Sequence, residues 1–338
     1  MIKNTYLQKH IDGINKKIIF LLFLFITGSI FIGIYVVFFT NIGKGITWHS
    51  DALLNFLLLD ILGISKLQFN LGIVFILFWS IYVISYLICI FKPDFLLKNF
   101  LYKQLFSKRI KTFDLPSSNY LYITIQWFSL YFVLSIIIDQ VQQTFGIHMG
   151  NPLMSNPLLS YFYLTAAPLN EEILFRVIFL GVPLSLILFK YKNSFISTLI
   201  HPSKNISIQS NRDKYILFLI IFLNSVFFGL AHVIFGGNYE IGKITQASLG
   251  GLFLGWLYYR YGLAISIIFH WISNYVLFSY SLLGSIVFNI PFGEESTNYF
   301  LMMFYAAFII TGIIFIYQNS EKLLKHLFKI KKKIYRKL

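Results

Sequence analysis

Long apolar runs separated by short polar, basic or glycine-containing stretches recur from one end of the chain to the other. Eight of them approach the ~20 residues that a helix needs to cross a ~30 Å hydrocarbon layer. They are Ile18 to Phe39, Leu71 to Phe91, Tyr120 to Ile138, Thr165 to Phe189, Tyr215 to Phe235, Ile244 to Tyr259, Leu263 to Leu283 and Tyr299 to Tyr317, the sixth being the shortest. Asp51 to Leu62 is apolar but too short to span, which predicts an interfacial or re-entrant helix. The expected fold class is all-α: a polytopic integral membrane protein of about eight transmembrane helices. Its expected divisions are a three-helix region with the interfacial helix over residues 1–160, a core over 161–284, and a last membrane helix with a basic tail over 285–338.

Composition agrees with the pattern. Of 338 residues 57% are hydrophobic and 12% charged, with a mean hydropathy of +0.71. So little polar material could not cover a water-soluble globule. The single cysteine, Cys89, lies inside an apolar run, so a disulfide framework and a thiolate metal cluster are both excluded. The first apolar run follows "MIKNTYLQKHIDGINKK" with no convincing small-residue cleavage site, which predicts a retained span and not a removed signal peptide.

Charge sets the expected orientation. Lysines and arginines collect before the first run, after the second, fourth and sixth, and in the tail "KIKKKIYRKL", while Asp139, Glu240, Glu294 and Glu295 lie in the other connections. That alternation predicts cytoplasmic termini. The net charge of +15 is spread over all the inside loops, which suits anionic lipid headgroups and gives no basic and aromatic surface for nucleic acid.

Ionisable residues inside an apolar span are costly unless paired or facing a wet cavity, so those present are functional candidates. Glu171, Glu172 and Arg176 head the fourth span. Glu172 and Arg176 are four apart on one helical face, acid first, the favourable order for an ion pair. Glu171, turned about 100° from Glu172, is left to face a cavity. The plain alternative is a buried charge cluster that only orients helices. Two histidines also fall within spans: His232 ends "FFGLAH", one turn after Phe228, and His270 begins "HWISN", one turn before Asn274. With the predicted orientation, Glu171, His232, His270 and Asn274 could meet in the outer half of the membrane.

"EEILFR", "FGLAH" and "HWISN" match EExxxR, FxxxH and HxxxN motifs, and in that order they resemble the intramembrane protease family of CAAX prenyl endopeptidases and bacterial bacteriocin-processing or immunity (Abi, CPBP) proteins. The resemblance covers roughly Ala166 to Asn274 and makes 161–284 an expected protease core. It implies that Glu171 is a general base, that His232 positions and polarises the attacking water, and that His270 and Asn274 hold the oxyanion. Such a set meets the needs of peptide hydrolysis, in which water loses a proton and negative charge develops on the carbonyl oxygen. Glu172 and Arg176 would fix the helix face, with Phe228 packing beside His232.

A metal mechanism competes: one glutamate and two histidines (Glu171, His232, His270) are common zinc ligands. HExxH is absent, however, and no outer carboxylate for either histidine is evident in the sequence. The expectation is therefore a glutamate-activated water with no required cofactor, zinc being the competitor. The expected partners are membrane lipid and a peptide or lipid-anchored protein substrate. The alternative is a non-catalytic immunity factor or transporter that uses the same buried residues for recognition, although no internal repeat favours a transporter. Richness in Ile, Phe, Lys and Asn suits a low-GC bacterium and its plasma membrane, which favours bacteriocin or signalling-peptide processing over CAAX substrates.

Asp60, Lys66, Asp139 and His201 read as solvated or boundary residues. Gly250, Gly251 and Gly255 read as close helix packing, and Gly236 and Gly237 as the end of the fifth helix.

Overall fold

The computed structural model describes residues 2–54, 67–92, 117–151, 156–188, 194–206, 208–236, 238–290 and 298–335. Two helices come first, α1 (Ile2–Phe39) and α2 (Asn41–Thr47), followed by strands β1 (Asp51–Leu54) and β2 (Leu67–Asn70). Long helices α3 (Leu71–Phe91) and α4 (Tyr120–Thr144) lead to a composite column: α5 (Pro157–Glu171), a π-helical segment π1 (Glu172–Gly181) and α6 (Val182–Leu188). Short helices α7 (Phe195–Ile200) and α8 (Pro202–Asn205) precede α9 (Asn211–Phe235) and α10 (Gly242–Tyr261). A second composite column, α11 (Leu263–Trp271), π2 (Ile272–Val276) and α12 (Leu277–Phe288), is followed by α13 (Tyr299–Tyr335).

Among the described residues six stretches are long and apolar enough to cross a membrane: His10–Phe39, Leu71–Phe91, Tyr120–Thr144, Asn211–Phe235, Leu263–Phe288 and Leu301–Ser320. Their outer faces carry exposed Phe31, Ile84, Phe218 and Ile313, the surface expected of a protein whose solvent is hydrocarbon. The described residues of the other two predicted spans are also helical, as α5–π1–α6 and α10; the first holds Glu171, Glu172 and Arg176, and Lys243 and Arg260 flank the second at the ends of α10.

The interfacial helix expected over Asp51 to Leu62 is corrected at its start. Asp51–Leu54 is a strand, paired antiparallel with Leu67–Asn70 in a two-stranded ribbon. Strand pairing satisfies the backbone groups that a segment too short to span would otherwise leave open. Gln68 Nε2 donates to Asp51 Oδ2 at 2.9 Å, and Asn70 Oδ1 accepts the first free amides of α3, from Gly72 and Ile73. Asp60 and Lys66 lie outside the described residues.

Tyrosine hydroxyls bind the columns to their neighbours. Tyr275 donates to the Ser29 carbonyl at 2.9 Å, Tyr280 to the Phe25 carbonyl at 2.8 Å and Tyr82 to the Thr165 carbonyl. Trp271 is stacked between Tyr82 and Tyr275, with ring centroids 4.6 and 4.0 Å away, so α11 is held against α3. Cys89 is buried in α3.

Helices α9 and α10 approach closely because glycine lines their contact. A Cβ at Gly251 would stand 2.9 Å from Ser225 Cα, and one at Gly229 would meet the Ile244 carbonyl oxygen at 2.5 Å. Gly236 ends α9, and Gly262, at φ 98°, makes the left-handed turn into α11 that other residues resist. Gly251→Val should therefore cost about 1–3 kcal/mol through overpacking against a backbone that cannot retreat. Thermal unfolding in detergent tests this, with Gly45→Val, where a Cβ meets nothing within 4 Å, expected to be near neutral.

Candidate active site

The charged residues sit where helical geometry changes. Pro183 lacks an N–H and would crowd the carbonyl four residues back in a regular helix. Before it the turn is wider, and the Val182 N–H reaches the Val177 carbonyl five residues back. Glu171 is the last residue of α5 and Glu172 the first of π1. The second π segment begins two residues after His270 and contains Asn274. π-Helical interruptions of α-helices are frequent at functional sites.

Glu172 and Arg176 form the ion pair expected from their spacing, Nε to Oε2 at 3.1 Å, with both side chains 0% exposed. The surroundings supply further hydrogen bonds, although Arg176 Nη2 and Asn224 Nδ2 are buried without a hydrogen-bond partner among the described residues. Ser266 Oγ donates to Glu172 Oε2, and His270 Nδ1 lies 3.0 Å from Glu172 Oε1. Arg176 Nη1 donates to Asn224 Oδ1 at 2.7 Å, and the guanidinium lies 4.7 Å above the centre of the Phe228 ring. One carboxylate thus joins π1 to α11, and one guanidinium joins π1 to α9.

Phe228 is in contact with both histidines as well. Its ring stands edge-on to His232 at 4.6 Å and to His270 at 5.9 Å. His232 Nδ1 is 2.8 Å from the Phe228 carbonyl oxygen. A carbonyl only accepts, so Nδ1 of His232 carries the proton; the carboxylate of Glu172, ionised beside Arg176, imposes the same on Nδ1 of His270. The Nε2 atoms of both rings then turn toward Glu171, each 3.7 Å from Oε2. This carboxyl is 25% exposed, against 15% for His232 and 7% for His270.

These groups line a cavity of about 890 Å³. Its apolar wall includes Phe128, Phe132, Phe175 and Phe269, and its polar wall Asn170, Glu171, His232, His270 and Asn274. Asn274 Oδ1 accepts from Ser273 Oγ at 2.9 Å, which leaves the amide Nδ2 as its donor. All of the residues singled out by the three motifs are therefore in or directly behind one cavity.

Three partners were not anticipated. Asn224, Ser266 and the lysine Lys243 all belong to the site or its support. Asn224, Phe228 and His232 recur at four-residue intervals, as do Ser266, His270 and Asn274, a helical-face signal that both polar residues satisfied. The absence of an outer carboxylate is also corrected: Glu172 serves His270 in that way, from a different helix. Among the residues read as solvated, His201 differs. Both its ring nitrogens are buried, and burial, then the Lys204 charge, lower its pKa to about 4.

Glu171, His232 and His270 are the right chemical set for zinc, and each histidine holds its other nitrogen in an outer hydrogen bond as zinc-bound histidines do. Among the described residues, however, no group of three or more His, Cys, Asp or Glu side chains closes to an arrangement that could hold a metal ion.

Residues 153–276 match the family described as "Type II CAAX prenyl endopeptidase Rce1-like", a stretch that contains every cavity residue named by the motifs. No curated protein and no solved structure matches the chain. The apolar helices and the match together point to an integral membrane protein in which residues 153–276 are similar to a type II CAAX prenyl endopeptidase domain.

Removing one member of the buried pair should be far worse than removing both. Arg176→Met leaves the Glu172 charge without its cation and should cost about 3–5 kcal/mol, and adding Glu172→Gln should recover much of that loss. Thermal midpoints of the two single variants and the double variant in detergent measure the coupling.

Proposed function

We propose that this protein is an intramembrane endopeptidase that hydrolyses a peptide bond in a membrane-associated peptide or protein. The observation that carries the reading is the convergence of both histidine Nε2 atoms on the Glu171 carboxylate, inside a cavity whose remaining wall mixes aromatic, aliphatic and polar side chains.

A water between these groups donates one hydrogen to Glu171 and the other to Nε2 of His232, whose tautomer makes that nitrogen an acceptor. Glu171 takes the proton as the water oxygen adds to the scissile carbonyl, and returns it to the departing amine as the C–N bond breaks. The carbonyl oxygen becomes an oxyanion that accepts from His270 Nε2–H and Asn274 Nδ2. His270 carries a proton on each nitrogen in this scheme. Glu172 orients that imidazolium and makes no contact with substrate.

A resident zinc would require Glu171, His232 and His270 to close into a ligand set that they do not form here, and would then supply Lewis acidity for the water and the carbonyl. Both schemes need the same three side chains and differ in their response to chelation.

The substrates this reading favours are bacteriocin or signalling-peptide precursors at a bacterial plasma membrane, with CAAX-type C-terminal peptides as the second class. Glu171→Gln keeps the shape of the side chain and removes the base. With a panel of quenched fluorescent precursor peptides it should lower cleavage by at least about 100-fold, the usual contribution of a general base, while the thermal midpoint stays near that of wild type. Wild-type cleavage by a normally folded Glu171→Gln protein would exclude Glu171 as the base. A strong chelator should leave wild-type cleavage unchanged; loss of activity that zinc restores would show that the metal scheme operates.

A further inference from the structure

Among the described residues, the cavity holds one cation that the hydrolytic scheme does not use. Lys243 lines it from the first turn of α10, with Nζ 2.7 Å from Gln246 Oε1 and 4.8 Å above the centre of the Tyr239 ring. Gln246 is itself held by Ser135, its Nε2 donating to Oγ at 2.7 Å. The backbone beneath is fixed: Gly242 N–H donates to the His148 carbonyl, Glu240 N–H to the Met149 carbonyl, and Gln142 Nε2 to the Gly242 carbonyl.

No carboxylate pairs with Lys243 among the described residues, and the acid it faces is Glu171, across the cavity. An ammonium has three donors, and an amide oxygen together with a ring face leaves donor capacity directed at the cavity. This is a costly position for a cation unless an anion visits it.

Resting on the endopeptidase reading above, we infer that Lys243, braced by Gln246 and Tyr239, binds a carboxylate of the substrate close to the bond that is cut. The spacing limits how close. Tyr239 is 5.7 Å from His232 between ring centroids and 4.8 Å from Lys243 Nζ. An extended peptide covers about 3.3–3.6 Å per residue, so the carboxylate falls within about three residues of the attacked carbonyl. Two carboxylates meet that description, the α-carboxylate of a short C-terminal leaving peptide and an acidic side chain. The first is favoured because a terminal carboxylate brings no further chain that the cavity must accommodate beyond Lys243.

The test compares binding and cleavage on the full-length protein in detergent. The probes are an apolar tripeptide with a free C-terminus, the same tripeptide as its C-terminal amide, and an amide whose last residue is glutamate. Affinities are read from ligand-dependent thermal shifts for wild type, Lys243→Met, Lys243→Arg and Glu171→Gln. A charge-assisted bond to Lys243 should make the free acid bind about tenfold or more tighter than the amide in wild type. The preference should disappear in Lys243→Met, persist in part in Lys243→Arg and remain in Glu171→Gln, which still binds without cutting. Equal affinity for acid and amide, a preference that survives Lys243→Met, or no binding of any probe at millimolar concentration overturns the inference. Recovery of affinity by the glutamate-ended amide shifts the assignment to an acidic side chain. The same peptides extended across a scissile bond test cleavage separately, so acid-selective binding without cleavage would retain the carboxylate site and reject the endopeptidase reading.

Discussion

A carboxylate and a guanidinium withdrawn entirely from solvent, inside a protein whose own solvent is hydrocarbon, impose the strictest condition on this fold. Each charge is tolerable because the other stands 3.1 Å away and because further side chains hydrogen-bond to both. Ser266 and His270 come from α11, Asn224 and Phe228 from α9, and all are called to one point on π1. The requirement for neutrality thereby becomes a requirement on helix placement. The catalytic candidates inherit their positions from it: His270 is a direct partner of Glu172, and His232 shares Phe228 with Arg176.

Elements outside the family-matched stretch contribute rigidity. Carbonyls of α1 accept from Tyr275 and Tyr280, and Tyr82 of α3 both stacks on Trp271 and donates to the Thr165 carbonyl one and a half turns before Glu171. These phenols gain hydrogen bonds that water cannot offer at this depth. They also fix the rotation of the column that carries His270 and Asn274. A site whose working distances differ by less than an ångström from idle ones depends on such bracing.

The parts of the site that were legible in the sequence are those governed by spacing within one helix. Glu172 and Arg176 could be paired from their separation of four, and Phe228 with His232, or His270 with Asn274, placed on common faces. Contacts between helices were not legible in the same way. Nothing in the pattern announces that Glu172 serves His270, or that Ser266 and Asn224 differ from the many small polar residues that help membrane helices pack. Lys243 sits at a helix start, where a basic residue attracts no notice, and only the fold brings it into the cavity. Among the helices, the six most apolar stretches followed directly from hydropathy, whereas the strand at Asp51–Leu54 depends on a partner more than ten residues away.

The π turns were invisible for a different reason: they change the number of residues per turn and leave the apolar pattern almost intact. Their presence separates two registers that a regular helix would keep locked together. Above π1 the column is set by the packing of α5, and below it by α6 against its own neighbours. Deleting one helical residue between Glu171 and Arg176 would turn Glu171 by about 100° and move it about 1.5 Å relative to Arg176 and the wall behind it. The glutamate that faces both histidines stands where the α-helical register gives way to the wider π1 turn, so in this protein the length of a helix is as much a chemical parameter as the identity of its side chains.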